Sequence, residues 1–365
     1  MKKLLLILLS LAMLFALCAC SPAGDGNDDN KGGFFNNSDP VEEKDPVYNP
    51  LTGLEVEQDV QARILAVSID NHPDARPHSG ISQADIIYEI PVEGTISRLL
   101  ALFYANECDN IGPVRSARPY AIDIARGWDA LFVHCGGSVD AKNYLAGPEV
   151  FSIDEIVYSN YFWRDYSLHS NEHTLYTSSE KLYEYIEYRE KPTVQEVEFM
   201  PFAIEGATAS SSDTWADWLR IQYGTADNIY VYDEESKLYT RFISDQPFID
   251  ADNGQQIKAA NIIIQYVSSR VTDNYGRLRI DMCAGGEAIL FTNGHVISGN
   301  WSRDSLDSNT VYTDAQGNSF VLQPGQTWIQ LVDATVDVES RNHSLGMNDE
   351  GADNAADSSN IGDTD

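Results

Sequence analysis

The sequence predicts an α/β (α+β) N-terminal sandwich domain followed by a smaller, mostly β C-terminal domain. Between residues 47 and 190, apolar runs of strand length alternate with stretches of helical periodicity. That alternation is typical of a sheet covered by helices. Between residues 214 and 333 the apolar runs are short and turn residues recur every few positions, which favours β-hairpins.

Three strands open the predicted N-terminal domain. The apolar runs 64–70, 86–90 and 99–104 each have strand length. The sequence Glu93-Gly94-Thr95 lies between the second and third runs and is typical of a tight turn. We therefore expect a single strand followed by a hairpin.

Helices and one further strand complete this domain. The stretch 117–128 places Tyr120, Ile124 and Trp128 on one helical face. A short strand is expected over 130–135, and Ser138 is a candidate cap for a short second helix. Thr177-Ser178-Ser179-Glu180 has the pattern of a capping box, which predicts a third helix to about residue 189.

The second domain follows a predicted linker over residues 191–213. The runs 229–232 and 238–242 flank an acidic turn, which predicts one hairpin. A second hairpin is predicted around Asn293-Gly294, because this dipeptide favours the two-residue turns that join adjacent strands.

The N-terminus predicts export and lipid anchoring. A basic start and an apolar stretch lead into small residues, as in a secretory signal. The sequence Leu17-Cys18-Ala19-Cys20 resembles a bacterial lipobox. We therefore expect removal of residues 1–19, acylation of Cys20 and attachment to the outer face of the cell membrane. The alternative is an ordinary cleaved signal with incidental cysteines.

Acidic, apolar-poor segments flank the predicted domains. Residues 20–46 are rich in Gly, Asn and Asp, which predicts a flexible tether. Residues 334–365 are expected to form an acidic disordered tail. The net charge of −32 argues against nucleic acid as a partner. Of the remaining cysteines, Cys108 and Cys135 either pair or stay free as thiols.

Several motif-like blocks follow one another along the chain. They include Arg76-Pro77-His78-Ser79-Gly80, Ile111-Gly112-Pro113-Val114-Arg115-Ser116, His134-Cys135-Gly136-Gly137-Ser138, His173-Thr174-Leu175-Tyr176 and Pro324-Gly325-Gln326-Thr327-Trp328. In this order they resemble the YerB-like bacterial lipoprotein family, over roughly residues 48–333. The resemblance implies a lipoprotein with an α/β N-terminal domain and a smaller C-terminal domain. It implies no reaction, and Thr174 stands where that family pattern has Asn.

Two arginines beside a predicted helix start point to an anion. Helix N-termini already favour negative charge, so Arg115 and Arg118 are expected there only if an anion lies between them. That anion is either an external ligand or an internal carboxylate, with Asp85, Glu89 and Glu93 as candidates.

Polar residues at the end of the first strand extend this candidate site. Ligands of α/β folds bind beyond strand ends, although Asp and Asn also occur there simply because they favour turns. The candidate ligand-binding residues are Asp70, Asn71, Arg76, Arg98, Arg115, Arg118, His134 and His173.

Two further motifs each allow a catalytic or metal-binding interpretation. Cys135 beside Gly136-Gly137 is compatible with a nucleophile and an oxyanion site, but a buried thiol at a strand end is the favoured interpretation. The string from His169 to His173 matches H-x-x-E-H. Its polar surroundings predict a loop rather than the helix that such metal sites need, so we expect no metal and no cofactor.

The expected function is binding rather than catalysis. The candidate residues would form a polar cleft for a cell-wall glycan or peptide fragment, or for an envelope protein. The alternative is a wall-directed hydrolase or transferase that uses His134 or His173 as a base. Aromatic residues 158–163 would either stack on sugars or form local core.

Overall fold

The structure is a computed structural model that describes residues 46–56, 62–94, 96–224 and 226–342. The predicted signal, Cys20 and most of the predicted tether lie outside these residues, and so does the chain after residue 342. Within the described residues, no helix has the length and apolar character needed to cross a membrane.

The described residues form three α-helices, four short 3-10 turns and twenty-two strands. The helices are α1 (Pro119–Gly127), α2 (Val139–Leu145) and α3 (Ser179–Tyr188), and the 3-10 turns are Pro73–Ala75, Ile81–Gln83, Ser159–Tyr161 and Asn171–His173. The first nine strands are β1 (Val47–Tyr48), β2 (Glu55–Val56), β3 (Leu65–Asp70), β4 (Ile86–Pro91), β5 (Ser97–Phe103), β6 (Leu131–His134), β7 (Ser152–Asp154), β8 (Trp163–Arg164) and β9 (Leu175–Tyr176). The remaining strands are β10 (Trp218–Tyr223), β11 (Ala226–Asp233), β12 (Leu238–Ile243), β13 (Gln246–Pro247), β14 (Lys258–Ala259), β15 (Asn261–Tyr266), β16 (Ser269–Val271), β17 (Leu278–Ile280), β18 (Gly285–Thr292), β19 (His295–Ser302), β20 (Val311–Asp314), β21 (Thr327–Val332) and β22 (Asp337–Arg341).

A mixed ten-stranded sheet contains strands from both halves of the chain. Its order is β20-β19-β18-β15-β21-β4-β5-β3-β6-β7. The halves meet where β21 runs parallel to β4, with Glu89 opposite Gln330. Neighbouring strands within each half are also paired, so the sheet continues across this junction without a break.

A six-stranded sheet lies in the second half of the chain. Its path is β13-β12-β11-β10-β22, with β14 pairing to β12. Short two-stranded ladders join β1 with β2, β8 with β9, and β16 with β17. The two predicted hairpins are present, as β11–β12 and β18–β19.

Both faces of the large sheet are buried along its central strands, β3, β4, β5 and β21. Along β3, Leu65 and Val67 belong to one apolar cluster, which also contains residues of α3 and of the six-stranded sheet. Ala66, between them, belongs to a second cluster that contains the apolar side of α1. Because both faces are covered, these strands are continuous apolar runs rather than alternating apolar and polar residues.

The predicted α/β sandwich is confirmed only in part. Strands and helices do alternate in the first half, but the molecule is mostly sheet and its three helices are short. α3 begins one residue later than the capping pattern indicates, because the Ser178 hydroxyl, not that of Thr177, accepts the Lys181 N–H. The Thr177 hydroxyl instead donates to the carbonyl of Tyr161.

The predicted acidic tail differs from the structure at its start. Residues 337–341 form β22 and pair with β10, because their acidic side chains have a cationic partner on that strand. Arg220 contacts both Asp337 and Glu339, while Val338 packs against the apolar cluster. The predicted tail after residue 342 lies outside the described residues.

The aromatic residues near position 160 form local core. Tyr161 and Phe162 are buried, and the rings of Tyr158 and Tyr161 pack around Tyr185 of α3 at centroid distances of 5.0 and 5.3 Å. This arrangement matches the structural interpretation of the cluster rather than an exposed sugar-stacking surface.

Candidate functional site

Charged residues gather where β3 ends beside β5. Asp70 is the last residue of β3 and lies opposite Arg98 in the antiparallel β3–β5 ladder. The next residue, Asn71, is fully buried. The polar strand end that the sequence indicates is therefore present, and the sheet register sets its main contacts.

Asp70 is the centre of a dense hydrogen-bond network. Its Oδ1 accepts the backbone N–H of His72 at 3.1 Å. Its Oδ2 accepts both His173 Nδ1 at 2.9 Å and Arg115 Nε at 3.1 Å. Burial alone would raise the pKa of Asp70, but the positive charges of Arg115 and Arg98 outweigh it and hold the pKa below its usual value. Asp70 is therefore a buried carboxylate.

Arg115 connects this buried carboxylate to the surface. Its Nη2 lies 2.8 Å from Glu172, whose side chain is 62% exposed. The Arg115 side chain itself is 27% exposed. The Nε of the guanidinium is thus held inside the protein by Asp70, whereas Nη2 meets an exposed carboxylate.

Ser116 joins two further arginines. Its hydroxyl oxygen accepts Arg98 Nη1 at 3.2 Å and Arg118 Nη1 at 3.0 Å. Arg118 is the N-cap residue of α1 and forms an ion pair with Glu93. Of the three internal carboxylates considered as partners, Glu93 is the one that Arg118 uses.

Two arginines of this site, Arg98 and Arg76, have no carboxylate at ion-pair distance among the described residues. Arg98 donates to the Ser116 carbonyl at 2.7 Å, and its buried Nε has no hydrogen-bond partner there. Arg76 donates to the side chain and carbonyl of Asn71. Burial lowers the pKa of each guanidinium to about 10.

A deeper ion pair lies behind Arg76. Glu89 accepts Asn71 Nδ2 at 3.1 Å and the Ser97 hydroxyl at 2.6 Å. Arg241, from β12, donates to the other carboxylate oxygen at 2.8 Å. Asn71 thus links the inner pair to the strand end that carries Asp70.

These groups form what we call the arginine cluster. It consists of Arg76, Arg98, Arg115, Arg118 and Arg241 together with Asp70, Glu89, Glu93 and Glu172. Five guanidinium groups face four carboxylates, so the cluster has a small excess of positive charge. The chain as a whole carries −32, which makes this local excess unusual.

The structure places His134 apart from the arginines. Its Nδ1 lies 2.8 Å from the Gly136 carbonyl and 3.9 Å from Asp154, and its ring stacks on Phe132. Among the described residues, no contact joins it to the cluster. Burial lowers the pKa of His134, so it is a neutral core histidine.

Cys135 and the glycines after it lack the features of a nucleophilic site. The Cys135 thiol donates to Glu155 at 3.2 Å, and burial together with this carboxylate raises its pKa to about 12. Such a thiol is a poor nucleophile. The Gly136 N–H already donates to Asp154 and is not available to an oxyanion. Cys108, Cys135 and Cys283 are all free thiols.

The histidines of the H-x-x-E-H string do not face one point. His169 Nε2 donates to the Pro77 carbonyl at 3.0 Å, whereas His173 faces Asp70. Residues Asn171–His173 form a 3-10 turn that follows an extended Ser170, as expected for a loop. The Glu of the string, Glu172, contacts Arg115 instead.

Sequence reasoning missed several members of the site. Glu172 and Arg241 were not candidates, although they hold Arg115 and Glu89 respectively. His78 was also missed, and its Nε2 donates to the Asp70 carbonyl at 2.6 Å. Burial and the nearby Arg76 lower the pKa of His78 to about 3. The one available signal was that His78 falls in a family-like block.

Comparisons with known proteins give the family. Residues 51–192 match the N-terminal domain model described as "Protein of unknown function (DUF3048)", and residues 219–329 match its C-terminal domain model. A Bacillus subtilis (strain 168) protein named "Putative lipoprotein YerB" is 34% identical over 291 residues, which is 78% of this chain and 85% of that protein. The crystal structure of YerB from Bacillus subtilis superposes with a TM-score of 0.72 at 32% identity, covering 80% of this chain and 99% of that one. The chain therefore belongs to the YerB-like family of DUF3048 proteins.

Proposed function

We propose that this protein is an extracytoplasmic lipoprotein, anchored to the membrane by lipid on Cys20, that binds an anionic group of a cell-wall fragment at the arginine cluster. The lipobox-like sequence before Cys20 and the similarity to a protein named as a lipoprotein support the anchor. The binding role is supported by the geometry of the cluster.

The observation that carries the binding role is the surplus of arginine. Arginines bind carboxylates and phosphates through two parallel hydrogen bonds. Arg76 and Arg98 have no carboxylate partner among the described residues, and the outer edge of Arg115 meets only the exposed Glu172. A ligand carboxylate would displace Glu172 and occupy its place on Arg115, while buried Asp70 holds the guanidinium in position.

A cell-wall fragment suits this site better than a protein surface. Of the five arginines of the cluster only Arg76 and Arg115 are partly exposed, whereas protein interfaces bury about 800 Å² on each partner. A single peptide carboxylate fits that small target. The alternative ligand is an envelope protein that inserts one acidic side chain, and crosslinking on intact cells distinguishes the two.

The test is co-sedimentation of the full-length chain, purified in detergent, with isolated cell-wall sacculi. We expect Arg115→Gln to weaken binding about tenfold, since a hydrogen bond to a charged group contributes about 1.5 kcal/mol or more. Arg220→Gln is the matched control, because Arg220 is 22% exposed and is also paired with carboxylates. Equal binding by wild type and Arg115→Gln would refute the cell-wall version.

Crosslinking on intact cells separates the two kinds of ligand. If sacculi do not retain the wild type but an envelope protein crosslinks in an Arg115-dependent manner, the partner is that protein. If neither interaction depends on Arg115, the cluster is a structural ion-pair network. Mass analysis of the mature N-terminus independently tests acylation of Cys20.

A second candidate function is a wall-directed hydrolase or transferase with His173 as its base. The observation in its favour is the Asp70–His173 hydrogen bond of 2.9 Å, since a carboxylate commonly orients a catalytic imidazole. Release of soluble fragments from sacculi, abolished in His173→Ala, would support this reaction. His134 is not favoured for that role because it is buried in the core, with 2% of its surface exposed.

A further inference from the structure

We propose that His72, Asp74 and His173 form a binding site for one divalent transition-metal ion of the zinc class. The inference is independent of anion binding by the arginine cluster. One donor atom from each of the three side chains lies within 4.8 Å of the other two. The imidazole rings of His72 and His173 are stacked, with centroids 5.3 Å apart and an interplanar angle of 11°.

The fold brings these donors together from distant parts of the chain. His72 and Asp74 lie in the turn after β3, where His72 is the N-cap of the 3-10 turn Pro73–Ala75. His173 closes another 3-10 turn about a hundred residues later. This separation explains why the H-x-x-E-H string does not identify the site, since His169 turns away toward Pro77.

Asp70 gives His173 the orientation of a metal ligand. Protein histidines that bind metals usually donate their second ring N–H to a carboxylate, which fixes the tautomer and makes the ligating nitrogen more basic. His173 Nδ1 donates to Asp70 at 2.9 Å, so Nε2 is the nitrogen left for a metal. Arg115 and the His72 backbone N–H hold Asp70 in turn.

One half of the site is fixed and the other half is adjustable. The His173 side chain is 10% exposed, while those of His72 and Asp74 are 43% and 76% exposed. Zinc bonds of this kind place ligand atoms roughly 3.3 Å apart in a tetrahedron. Because the donor atoms lie within 4.8 Å of one another, the two exposed side chains need to move inward by up to about 1.5 Å around the fixed imidazole.

The donor set indicates the class of metal. Two imidazoles and one carboxylate suit Zn²⁺, Ni²⁺ or Cu²⁺, whereas Mg²⁺ and Ca²⁺ prefer oxygen ligands alone. Asp70 and Glu172 both pair with Arg115, whereas Asp74 contacts His72 and is the carboxylate left to ligate a cation. Three protein ligands leave a fourth coordination position open.

The experiment is calorimetric titration of the untagged full-length chain, first with ZnCl₂ and separately with MgCl₂, after removal of metals with a chelator. We expect one Zn²⁺ per chain and no comparable Mg²⁺ binding. His72→Ala and Asp74→Asn should each weaken Zn²⁺ binding at least tenfold. Both side chains are substantially exposed, so these variants do not depend on tolerance of a core substitution.

His169→Ala is the matched control, because it removes a nearby imidazole that faces a carbonyl rather than the site. Its Zn²⁺ affinity should equal that of the wild type. Asp70 is the hydrogen-bond partner of His173, and Asp70→Asn leaves all three ligands in place. This variant should weaken Zn²⁺ binding by about 10- to 100-fold. No Zn²⁺ binding by the wild type, or equal affinity in wild type, His72→Ala and Asp74→Asn, would overturn the proposal. Loss of binding in His169→Ala alone would also overturn it.

Discussion

Glu89 and Arg241 form a fully buried ion pair, with Arg241 Nη2 lying 2.8 Å from Glu89 Oε2 and both side chains at 0% exposure. Glu89 belongs to β4 in the first half of the chain, and Arg241 belongs to β12 in the second. The Arg241 guanidinium also lies 4.0 Å from the ring centroid of Trp328. Burial alone would raise the pKa of Glu89, but Arg241 lowers it below the usual value, so both partners are charged.

Removal of one partner should be strongly destabilising. In Arg241→Met the carboxylate of Glu89 stays buried without its counter-charge, and a broken buried pair costs about 3–5 kcal/mol. We expect that loss in the free energy of unfolding, measured by denaturant titration. A loss of less than about 1 kcal/mol in the free energy of unfolding would mean that solvent or another cation reaches Glu89.

The double variant separates charge from packing. Glu89→Gln combined with Arg241→Met leaves no buried charge, while the amide still accepts hydrogen bonds from the Ser97 hydroxyl and Asn228. The double variant should therefore be more stable than Arg241→Met alone. If the stability losses of Glu89→Gln and Arg241→Met instead add in the double variant, lost packing against Trp328 is the larger effect.

Local sequence patterns predicted the elements but not their long-range pairing. The runs at 64–70 and 86–90 and the Asn293-Gly294 turn all correspond to strands or a hairpin in the structure. The insertion of β21 beside β4 was not predictable, because it joins residues about 240 positions apart. No local periodicity carries that information, and it is this pairing that unites the two halves in one sheet.

The candidate site was also predicted only in part, because the sequence identifies single polar residues but not their partners from distant parts of the chain. Asp70, Arg115 and His173 were all candidates, because each carries a polar group beside a predicted strand end or in a family-like block. Their partner Glu172 could not be selected among 56 acidic residues, since charge alone does not specify contact. Arg241 lies in a predicted strand, where a single arginine gives no sign that it points into the core.

The titration of His78 should make the fold sensitive to acid. Its folded-state pKa of about 3 lies below the ordinary value of 6.5, because the ring is buried. A depressed pKa means that neutral His78 contributes stability above pH 6.5, and that this contribution is lost as the pH falls toward 3. The slope is at most about 1.4 kcal/mol per pH unit.

His78→Gln isolates this effect. Glutamine has no proton to gain in this range but keeps an N–H group for the Asp70 carbonyl. We expect the variant to be less stable than wild type at pH 8 and the difference in unfolding free energy to narrow by about 2.7 kcal/mol at pH 4.5. The check is denaturant unfolding across pH. Parallel profiles for the two proteins would show that His78 is already protonated in the fold or does not titrate with unfolding.

The turn at Gly294 should tolerate no side chain, because two separate constraints act on it. Its φ is +78°, and an added Cβ would lie 2.4 Å from the Trp215 ring. Gly276 has a similar φ of +80° but has no atom within 4 Å of the same position, so it serves as the control for backbone strain alone. Gly276→Ala should lower the free energy of unfolding by about 1 kcal/mol through backbone strain. Gly294→Ala should lower it by at least about 1–3 kcal/mol more, because the overlap with Trp215 forces the turn or the ring to move. Thermal unfolding of both variants gives the comparison, and equal losses would show that the Trp215 ring moves aside without cost.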